Sequence, residues 1–443
     1  MKLNPRNLQS IIDNEALAYA MYTVEERAIP NMMDGLKPVQ RFVIYRALQM
    51  SKGNKEKFHK VASVAGGVSD AGYHHGEGSA AGTAVLMANN WNNNCALLDG
   101  QGNFGSRLVQ EGGAPRYVYC RVSDAFRSIY KDTEYAPWHK DLEHLPPKHY
   151  LPIIPTVLLN GVKGIATGYS TSILPHSLES VVECTKLAIQ GKLDKEPTVQ
   201  FPKFRGQIVP SDNGVELRGV YRFISRNQID ISEIPYKWER TAYVEKILEP
   251  LVDKGYITYD DQCGRDGFGF RIKLRKDYIL GDNEEARHER IMKDFGLTQK
   301  VPQFIVVIDE NGKLRDDFTC ASDLIKHFVK VRKTYIKTRI ESKIIETEEA
   351  FNLAKAKAMF ISRVIKNEIV IQGKTRKQLS KEIESFEDLK DYVEKLVSMN
   401  IYHITNDEAK KLVLEAKRLK EEREYWKKTT PEHEYTKDLE ELQ

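Results

Sequence analysis

The sequence predicts an α+β, multidomain protein with a long antiparallel helical arm, and three observations lead to this fold class. The chain has 443 residues, more than one hydrophobic core usually organises, so we expect two to four domains. Apolar and polar residues alternate through much of the middle of the chain, as in half-buried strands. After Ser322 the apolar residues recur in steps of three and four, the spacing of coiled-coil helices.

Residues 1–30 are predicted to form an N-terminal helical arm. Helical character runs from Leu8 to Arg27 and stops before Pro30, because a proline disfavours helix at the residue that precedes it. Residues 31–175 combine short helical segments with glycine-rich turns, and the stretch after Pro155 predicts a strand, a turn and a second strand. We therefore expect 31–175 to be a domain of its own.

Residues 176–320 are predicted to form a further domain of alternating helices and strands. Two sets of apolar residues have the period of two that is typical of strands: Phe268, Phe270, Ile272 and Leu274, and Val215, Leu217, Tyr221 and Phe223. Between them, residues 243–254 predict a helix. Asn311-Gly312, placed between two strand-like runs, predicts a hairpin.

Residues 321–430 are predicted to form the helical arm. Its first helix, which we expect to reach about Ile371, has apolar residues in steps of four, three and four: Leu324, Phe328, Val331 and Tyr335. A small module at about 373–406 separates it from a second helix with similar spacing. Two long helices joined by a small helical knob predict an antiparallel coiled coil. Residues 431–443 contain five acids and one lysine and form an acidic tail.

Charge and cysteine content restrict the class of protein. The net charge is only +4, but Gly35 to Lys60 holds seven basic residues and one acid, and Ala321 to Lys343 holds seven basic residues and two acids. Such patches fit a polyanion partner, although solvated helix faces produce them as well. Five cysteines without metal-binding spacing indicate a reduced, cytoplasmic protein. No signal peptide or apolar run of membrane length is present in the sequence.

Gly100, Gly102 and Gly105 form the pattern G-x-G-x-x-G after a short apolar run, which nominally predicts a dinucleotide site and an oxidoreductase. A true fingerprint of this kind opens a helix. Here Gly112, Gly113 and Pro115 follow, and these residue types do not sustain a helix. We interpret the glycines as a tight turn that allows close backbone approach.

Arg116 and Tyr117 follow this glycine-rich stretch and could carry covalent chemistry. Tyrosine is a possible nucleophile, but its pKa of about 10 leaves few side chains ionised at neutral pH. A neighbouring guanidinium favours the phenolate and matches the geometry of a phosphate, so the pair suits phosphoryl transfer. The alternative is structural: Tyr117 and Tyr119 would lie on one face of a strand.

Five motifs in a fixed order make the sequence more specific: ERAIPNMMDGLKPVQR from Glu26, GYHHGEGS from Gly72, DGQGNFGS from Asp99, PRY from Pro115 and GIATG from Gly164. Together they resemble the breakage-reunion core of the type IIA DNA topoisomerases. The resemblance implies a winged-helix DNA-cleavage domain at 31–175, an α/β tower domain at 176–320, and a coiled-coil arm whose knob at about 373–406 is a C-gate.

The resemblance also implies catalytic roles. Tyr117 matches the tyrosine that attacks a DNA phosphodiester and holds the 5′ phosphate. Arg116 matches the arginine that stabilises the crowded phosphorus centre. Arg27, His74 and His75 match positions near the scissile phosphate, although a histidine pair is often purely structural.

Further residues are implied to contact DNA or inhibitors. Ile165 matches the wedge that enters the minor groove and bends the duplex, whereas sequence alone favours a buried strand residue. Lys37, Arg41 and Lys60 belong to the basic stretch and are assigned to DNA binding. Ser79 matches a position at which cleavage-stabilising drugs act, although a helix N-terminal serine could equally be a cap.

The resemblance further implies partners. The sequence contains no G-x-x-x-x-G-K-[ST] loop and no D-x-D cluster after an acidic strand, so we expect a toprim and ATPase partner chain to hold Mg²⁺ and bind ATP. We expect a homodimer through a DNA gate and the C-gate, duplex DNA as substrate, and no membrane association. Without a DNA-wrapping domain, the expected activity is relaxation of supercoils in support of replication. A non-catalytic DNA-binding coiled-coil protein would explain the basic patches but not the ordered motifs.

Overall fold

A computed structural model of the chain describes residues 9, 11–140, 144–276, 278, 281 and 283–442. The described residues form two compact units, one built from the chain up to Arg332 together with residues from Asp438 onward, and the other from Lys333–Lys437. Most of residues 1–10 of the predicted arm, Leu8 among them, and Gln443 of the predicted tail lie outside the described residues.

The N-terminal arm is helical, as predicted. Ile11–Ala16 and Val24–Ala28 have π-helical hydrogen bonding, and Leu17–Thr23 between them is α-helical. The helix ends at Ile29, whose backbone is extended. This ending follows from Pro30, because the proline ring excludes helical geometry at the preceding residue.

The next part of the chain packs three helices beside a small antiparallel sheet. The helices are Pro38–Ser51, Val61–Gly66 and Glu77–Ala88. The strands are β1 (His59–Lys60), β2 (Leu98–Gln101) and β3 (Tyr119–Val122), in the order β1-β3-β2. Pro38 begins its helix at a position where no backbone N–H is needed. Val43, Ile44, Val64 and Ala84 are buried among these elements.

Short elements lead from this region to the larger sheets. They are the helices Asp124–Ile129, Val157–Asn160 and Leu178–Ile189, and the strands β4 (Val162–Ile165) and β5 (Ser170–Ile173). β4 and β5 pair antiparallel, so the predicted strand, turn and strand after Pro155 is confirmed, with a turn of helix ahead of it.

The middle of the chain contains three antiparallel sheets. Their strands are β6 (Gln207–Ser211), β7 (Gly214–Arg218), β8 (Val220–Ser225), β9 (Gln228–Glu233), β10 (Ile257–Asp261), β11 (Phe270–Leu274), β12 (Thr298–Pro302), β13 (Ile305–Ile308) and β14 (Leu314–Phe318). The sheet orders are β10-β11-β9-β8, β12-β7-β6 and β13-β14. The helices are Arg240–Tyr243, Val244–Leu248, Glu249–Asp253 and Glu284–Asp294.

The strand predictions for this region are confirmed, with one refinement. Phe270, Ile272 and Leu274 are the buried face of β11. The alternation that begins at Val215 belongs to two strands, β7 and β8, which part at Gly219. A side chain at Gly219 would lie 2.5 Å from the Glu233 carbonyl oxygen, so only glycine permits this close approach between strands.

The second unit contains the helical arm. Its elements are the helix Ala321–Ile365, which begins in the first unit, Arg376–Glu384, Val393–Val397 and Asn406–Lys428, and the helix Pro431–Glu440, which ends in the first unit. The first helix ends at Ile365 and does not reach the expected Ile371. Just after its end, Asn367 adopts a left-handed φ of 61°. Ala354 packs with Leu419, and Ile361 packs with Leu412, so the two long helices run antiparallel, as predicted.

The knob between these helices has a core of its own. Ile369, Leu379, Ile383, Leu389 and Leu396 are buried there and pack together against the long helix. The acidic tail predicted at 431–443 is a helix from Pro431 to Glu440, in which Tyr435 and Leu439 are buried. Nowhere among the described residues is there a helix that is both long and apolar enough to cross a membrane.

Candidate active site and DNA interface

Tyr117 lies on a turn in the segment between β2 and β3, residues 102–118, which we call the tyrosine loop. Its backbone N–H donates to the Ala114 carbonyl at 2.8 Å. The carbonyls on either side, of Pro115 and Val118, each accept a hydrogen bond of 3.0 Å from the first turn of helix Val61–Gly66. These contacts hold the backbone while the Tyr117 side chain remains 69% exposed.

Arg116 is the immediate electrostatic partner of this ring. Its guanidinium carbon lies 4.6 Å from the centroid of the Tyr117 ring. A guanidinium at this distance contacts the face of the ring and keeps donors available for a phosphate oxygen. Tyr119, in contrast, lies in β3 and pairs with Lys60 and Gln101. The alternative that Tyr117 and Tyr119 share one face of a strand is therefore wrong.

The glycine-rich start of the tyrosine loop is a turn and not the opening of a helix. Gly105 has a φ of +79°, and a side chain there would lie 2.5 Å from the Gln110 carbonyl oxygen. No helix follows within residues 102–118, all of which the structure describes. Gly102 and Gly105 have positive φ in this irregular segment, whereas Gly100 lies in β2, so the predicted tight turn is confirmed only in part. The geometry of a dinucleotide fingerprint is missing.

A cavity of about 500 Å³ gathers part of the predicted site: Arg27, Lys37, His75 and Ser79 are among its lining residues. The Lys37 ammonium donates to the Lys163 carbonyl at 2.7 Å, and burial lowers the pKa of Lys37. The Tyr22 hydroxyl is hydrogen-bonded to His75 Nε2. The cavity is thus a polar recess beside the N-terminal arm, lined by basic side chains and by the acidic Glu26 and Asp34.

Five further predicted residues lie on the surface of the first unit, outside this cavity. His74 is exposed ahead of helix Glu77–Ala88, and Lys60 is exposed on β1. The described lining of the cavity includes neither of these residues, nor Tyr117, Arg116 and Ile165. Within one chain, therefore, the structure does not place the tyrosine in the recess that contains Arg27 and His75.

Arg41 lacks the exposed guanidinium that a DNA contact requires. It is buried, and its Nε and Nη2 atoms donate to the two carboxylate oxygens of Asp34 at 2.7 and 3.0 Å. A further bond of 3.1 Å joins Nη2 to the Leu36 carbonyl. The correction follows from this burial, since a guanidinium that is occupied in the core does not reach a phosphate.

Ser79 is the third residue of helix Glu77–Ala88, whose N-cap is Gly76. It accepts a hydrogen bond of 3.1 Å from the Tyr73 hydroxyl and is exposed toward the cavity. The alternative that Ser79 caps the helix is therefore wrong.

Ile165 is the last residue of β4 and pairs with Ser170 across the hairpin. Its side chain is 88% exposed, so the alternative of a buried strand residue is wrong. The tip is closed by a hydrogen bond of 2.8 Å from the Ala166 N–H to the Tyr169 carbonyl. Thr23 of the N-terminal arm donates to Thr167 at 3.3 Å. These bonds hold the tip of the hairpin, and Ile165 projects from it into solvent.

Sequence reasoning missed Lys163, which lines the recess, and Tyr22, which is hydrogen-bonded to His75 of the recess. Tyr22 is one of several apolar or aromatic residues of the arm, and nothing in its spacing indicates contact with His75. Lys163 contributes a backbone carbonyl, which leaves no residue-type signal. Among the described residues, no group of three or more His, Cys, Asp or Glu side chains is arranged to hold a metal ion.

Comparison with known proteins identifies the family. The family model for the A subunit of DNA gyrase/topoisomerase IV matches residues 27–442. The chain belongs to this family. It is 63% identical to the DNA topoisomerase medium subunit of Enterobacteria phage T4 over 442 residues, which covers all of both chains. The chain is therefore a type II DNA topoisomerase subunit, and the resemblance found in the motifs is confirmed.

More distant topoisomerases match as parts of longer chains. Mitochondrial DNA topoisomerase 2 of Dictyostelium discoideum is 27% identical, and the match covers 97% of this chain but 34% of that protein. The DNA gyrase A subunit of Chlamydia trachomatis is 28% identical, and the match covers 99% of this chain and 56% of that protein. The solved DNA-binding, cleavage and re-ligation domain of Plasmodium falciparum topoisomerase II aligns with a TM-score of 0.86 at 27% identity, covering 98% of this chain and 63% of that one.

These matches decide between the alternatives. The topoisomerase assignment is that of an enzyme subunit, so the non-catalytic DNA-binding protein and the oxidoreductase are both wrong. The mixed α/β architecture is that of a topoisomerase II DNA-binding and cleavage domain.

Proposed function

We propose that this topoisomerase subunit cleaves and rejoins DNA through a transient 5′-phosphotyrosyl bond at Tyr117. One bond forms in each strand of a duplex, so that another duplex passes through and supercoils are relaxed, in support of DNA replication. The observation that supports the proposal is the exposed Tyr117 ring, held on a rigid turn beside the Arg116 guanidinium.

The proposed step is a phosphoryl transfer in both directions. The Tyr117 oxygen loses its proton and bonds to phosphorus, while the 3′ oxygen of the neighbouring nucleotide leaves and takes up a proton. Arg116 stabilises the negative charge on the phosphorus centre. Religation reverses each bond change. Arg27, His74 and His75 are assigned to the surroundings of the scissile phosphate.

DNA contacts are proposed at three places. Ile165 enters a base step from the minor groove, because its exposed side chain projects from a closed hairpin. Lys37 and Lys60 contact phosphates, whereas Arg41 is not retained because it is buried against Asp34. Ser79, exposed at the cavity, is the position at which cleavage-stabilising inhibitors act.

The proposed assembly contains further chains. The phage T4 relative is named a medium subunit, which fits an enzyme whose Mg²⁺ and ATP are held by a partner with toprim and ATPase modules. The described residues offer no metal-binding cluster. We assign 1–30 to the arm, 31–175 to a winged-helix domain, 176–320 to a tower, 321–430 to a coiled coil and 431–443 to an acidic tail. Dimer contacts are assigned to the winged-helix domain and the knob, and the place of action to the host cytoplasm.

The test is to trap covalent protein–DNA complexes with detergent in the presence of the partner chain. Tyr117→Phe should abolish the complexes and leave DNA affinity nearly unchanged, because only the nucleophilic oxygen is lost. Tyr119→Phe is the matched control and should keep its activity. Covalent complexes in Tyr117→Phe, or their loss in Tyr119→Phe alone, would overturn the assignment.

A further inference from the structure

The tip of the tyrosine loop, residues 106–110, is attached to the neighbouring sheets through the side chain of Arg107. This side chain is 8% exposed, and its Nη2 atom lies 3.2 Å from a carboxylate oxygen of Glu233. The same nitrogen donates to the Ile234 carbonyl at 3.1 Å. Arg107 is therefore anchored at the end of β9, which lies outside the predicted winged-helix range.

Three aromatic rings surround the same guanidinium. Its carbon lies 4.7 Å from the ring centroid of Tyr236, 5.2 Å from that of Phe268 and 5.7 Å from that of Phe204. Arg107 Nε and Nη1 are buried and have no hydrogen-bond partner among the described residues. Cation–π contact with the ring faces accounts for this arrangement, which needs a planar, delocalised cation and not merely a positive charge.

Backbone contacts hold the tip at the same place. The Arg240 N–H donates to the Leu108 carbonyl at 3.1 Å, and the Gln110 N–H donates to a Glu239 carboxylate oxygen at 3.2 Å. Leu108 also packs against the core formed by the four-stranded sheet. The tip is thus fixed by one buried side chain and by two hydrogen bonds of the backbone that follows it.

A short series of backbone hydrogen bonds connects the tip of the loop with Tyr117. The Gly113 N–H donates to the Asn103 carbonyl at 2.8 Å, which joins the two legs of the loop below the tip. The next residue, Ala114, provides the carbonyl that accepts from the Tyr117 N–H. A shift of the tip would therefore displace the leg that defines the turn at Tyr117.

We propose that Arg107 is a positioning residue for DNA cleavage, which holds the tyrosine loop against β9 so that Tyr117 remains aligned with the scissile phosphate. The inference rests on the proposed role of Tyr117 as the nucleophile. Alignment matters because a displacement of about 1 Å at a reacting atom costs about a hundredfold in rate.

The test uses Arg107→Met and Arg107→Lys in complex with the toprim and ATPase partner, with a nicked duplex as a single-turnover substrate. Arg107→Met should lower the cleavage rate by about tenfold or more and leave DNA affinity within about twofold. Arg107→Lys should give an intermediate rate, because it keeps the charge but loses the planar group. Arg265→Met is the matched control, since Arg265 is an exposed arginine that lines the same surface cavity, of about 500 Å³, as Arg107 and Glu233.

A second substitution and a second measurement distinguish a positioning role of Arg107 from a purely structural one. Arg107→Met leaves the buried Glu233 carboxylate with only the more distant Arg205, at 3.8 Å, as a cationic partner, and Glu233→Gln in the same chain should restore much of the lost stability. We expect cleavage to remain slow in the double variant, and the amides of Gln110 and Gly113 to exchange hydrogen faster than in the wild type. Recovery of cleavage together with stability, or unchanged exchange at these amides, would overturn the inference.

The outcome for Tyr117→Phe, measured in parallel, distinguishes the two proposals. If Tyr117→Phe still forms covalent complexes, the proposed function fails and the positioning inference fails with it. If Tyr117→Phe is inactive but Arg107→Met and Arg107→Lys cleave at the wild-type rate, only the inference about Arg107 fails.

Discussion

Basic residues of the stretch 35–60 have different roles according to their burial. The buried Asp34 carboxylate accepts hydrogen bonds from Arg41 and from the backbone N–H groups of Leu36 and Tyr150. Lys60, on β1, is exposed. The same substitution at Arg41 and at Lys60 should therefore affect two different quantities.

Arg41→Met should lower the free energy of unfolding by about 3–5 kcal/mol, because it leaves the buried Asp34 charge without its partner. Lys60→Met should leave the free energy of unfolding nearly unchanged and should reduce the salt dependence of DNA binding by about one phosphate contact. Urea denaturation and DNA titration at several salt concentrations measure the two effects. A stable Arg41→Met protein that no longer binds DNA would show that Arg41 is a DNA contact after all.

His149 makes stability depend on pH through its burial. Desolvation lowers its pKa to about 4; the charge of Asp34 opposes this shift, and the charge of Arg41 adds to it. The folded chain therefore keeps His149 neutral near pH 5.5, whereas the unfolded chain binds a proton below about pH 6.5. Because the unfolded state binds more protons in this window, the free energy of unfolding falls as the pH falls.

For this residue alone, we expect a loss of about 1 kcal/mol between pH 7.5 and pH 5.5. His149→Gln should remove that part of the pH dependence, since glutamine does not titrate. Urea denaturation of both proteins at the two pH values is the measurement. An identical pH dependence in wild type and variant would mean that His149 binds its proton equally in both states.

At the scale of single residues, the sequence predicts the protein family better than it predicts whether a side chain is buried or exposed. The ordered motifs around Tyr117 led to the correct family because each is a short, local pattern. The burial of Arg41 was not predictable, since its partner Asp34 is recognisable only when the turn before helix Pro38–Ser51 has formed. The exposure of Ile165 was likewise not predictable, because an isoleucine between glycines is compatible with a strand in the core or at the surface.

The hairpin of β4 and β5 is the element on which the wedge proposal depends. Ile165→Ala should reduce bending of a duplex and the cleavage rate more than the overall affinity, because contacts to the phosphate backbone persist while the wedge is lost. Energy transfer between dyes at the duplex ends measures the bending.

Ile224→Ala provides a matched control for the hairpin, since Ile224 on β8 is 45% exposed. It should leave the bending unchanged. Equal bending by wild type and Ile165→Ala would reject the wedge, whereas a loss in both variants would indicate a general effect of exposed isoleucines.

Element boundaries follow local signals where those signals are strong. The period of two in β11 and the proline after the N-terminal arm predicted the observed elements, because alternation and ring geometry act within a few residues. The division of the run from Val215 into β7 and β8 depends on the approach of Glu233 to Gly219, which is a long-range contact. The end of the long helix at Ile365 depends on a left-handed Asn367, which the heptad spacing does not indicate.

At the scale of the whole molecule, the tyrosine and the metal are proposed to reside on different chains. The chain matches the phage T4 medium subunit over its full length but only 34% of the Dictyostelium enzyme. In the described residues, no cluster of side chains is arranged for a metal ion. Binding and cleavage of DNA should therefore have different requirements.

Alone, the chain should bind duplex DNA with a strong salt dependence, because each phosphate contact contributes about −0.9 to the slope of log K against log salt. It should cleave poorly with Mg²⁺, since Arg116 by itself supplies only part of the charge stabilisation that a metal ion gives. Adding the toprim and ATPase partner should restore cleavage and ATP-dependent strand passage.

Covalent complexes trapped with detergent, with and without the partner, measure this difference at constant salt, and Tyr117→Phe in both mixtures supplies the background. Efficient Mg²⁺-dependent double-strand cleavage by the chain alone would place the metal ligands on this chain. The absence of covalent complexes in both mixtures, with DNA binding intact, would contradict Tyr117 as the nucleophile. Cleavage only in the presence of the partner would establish that the chain supplies the nucleophile and the DNA contacts, while the second chain supplies the ion.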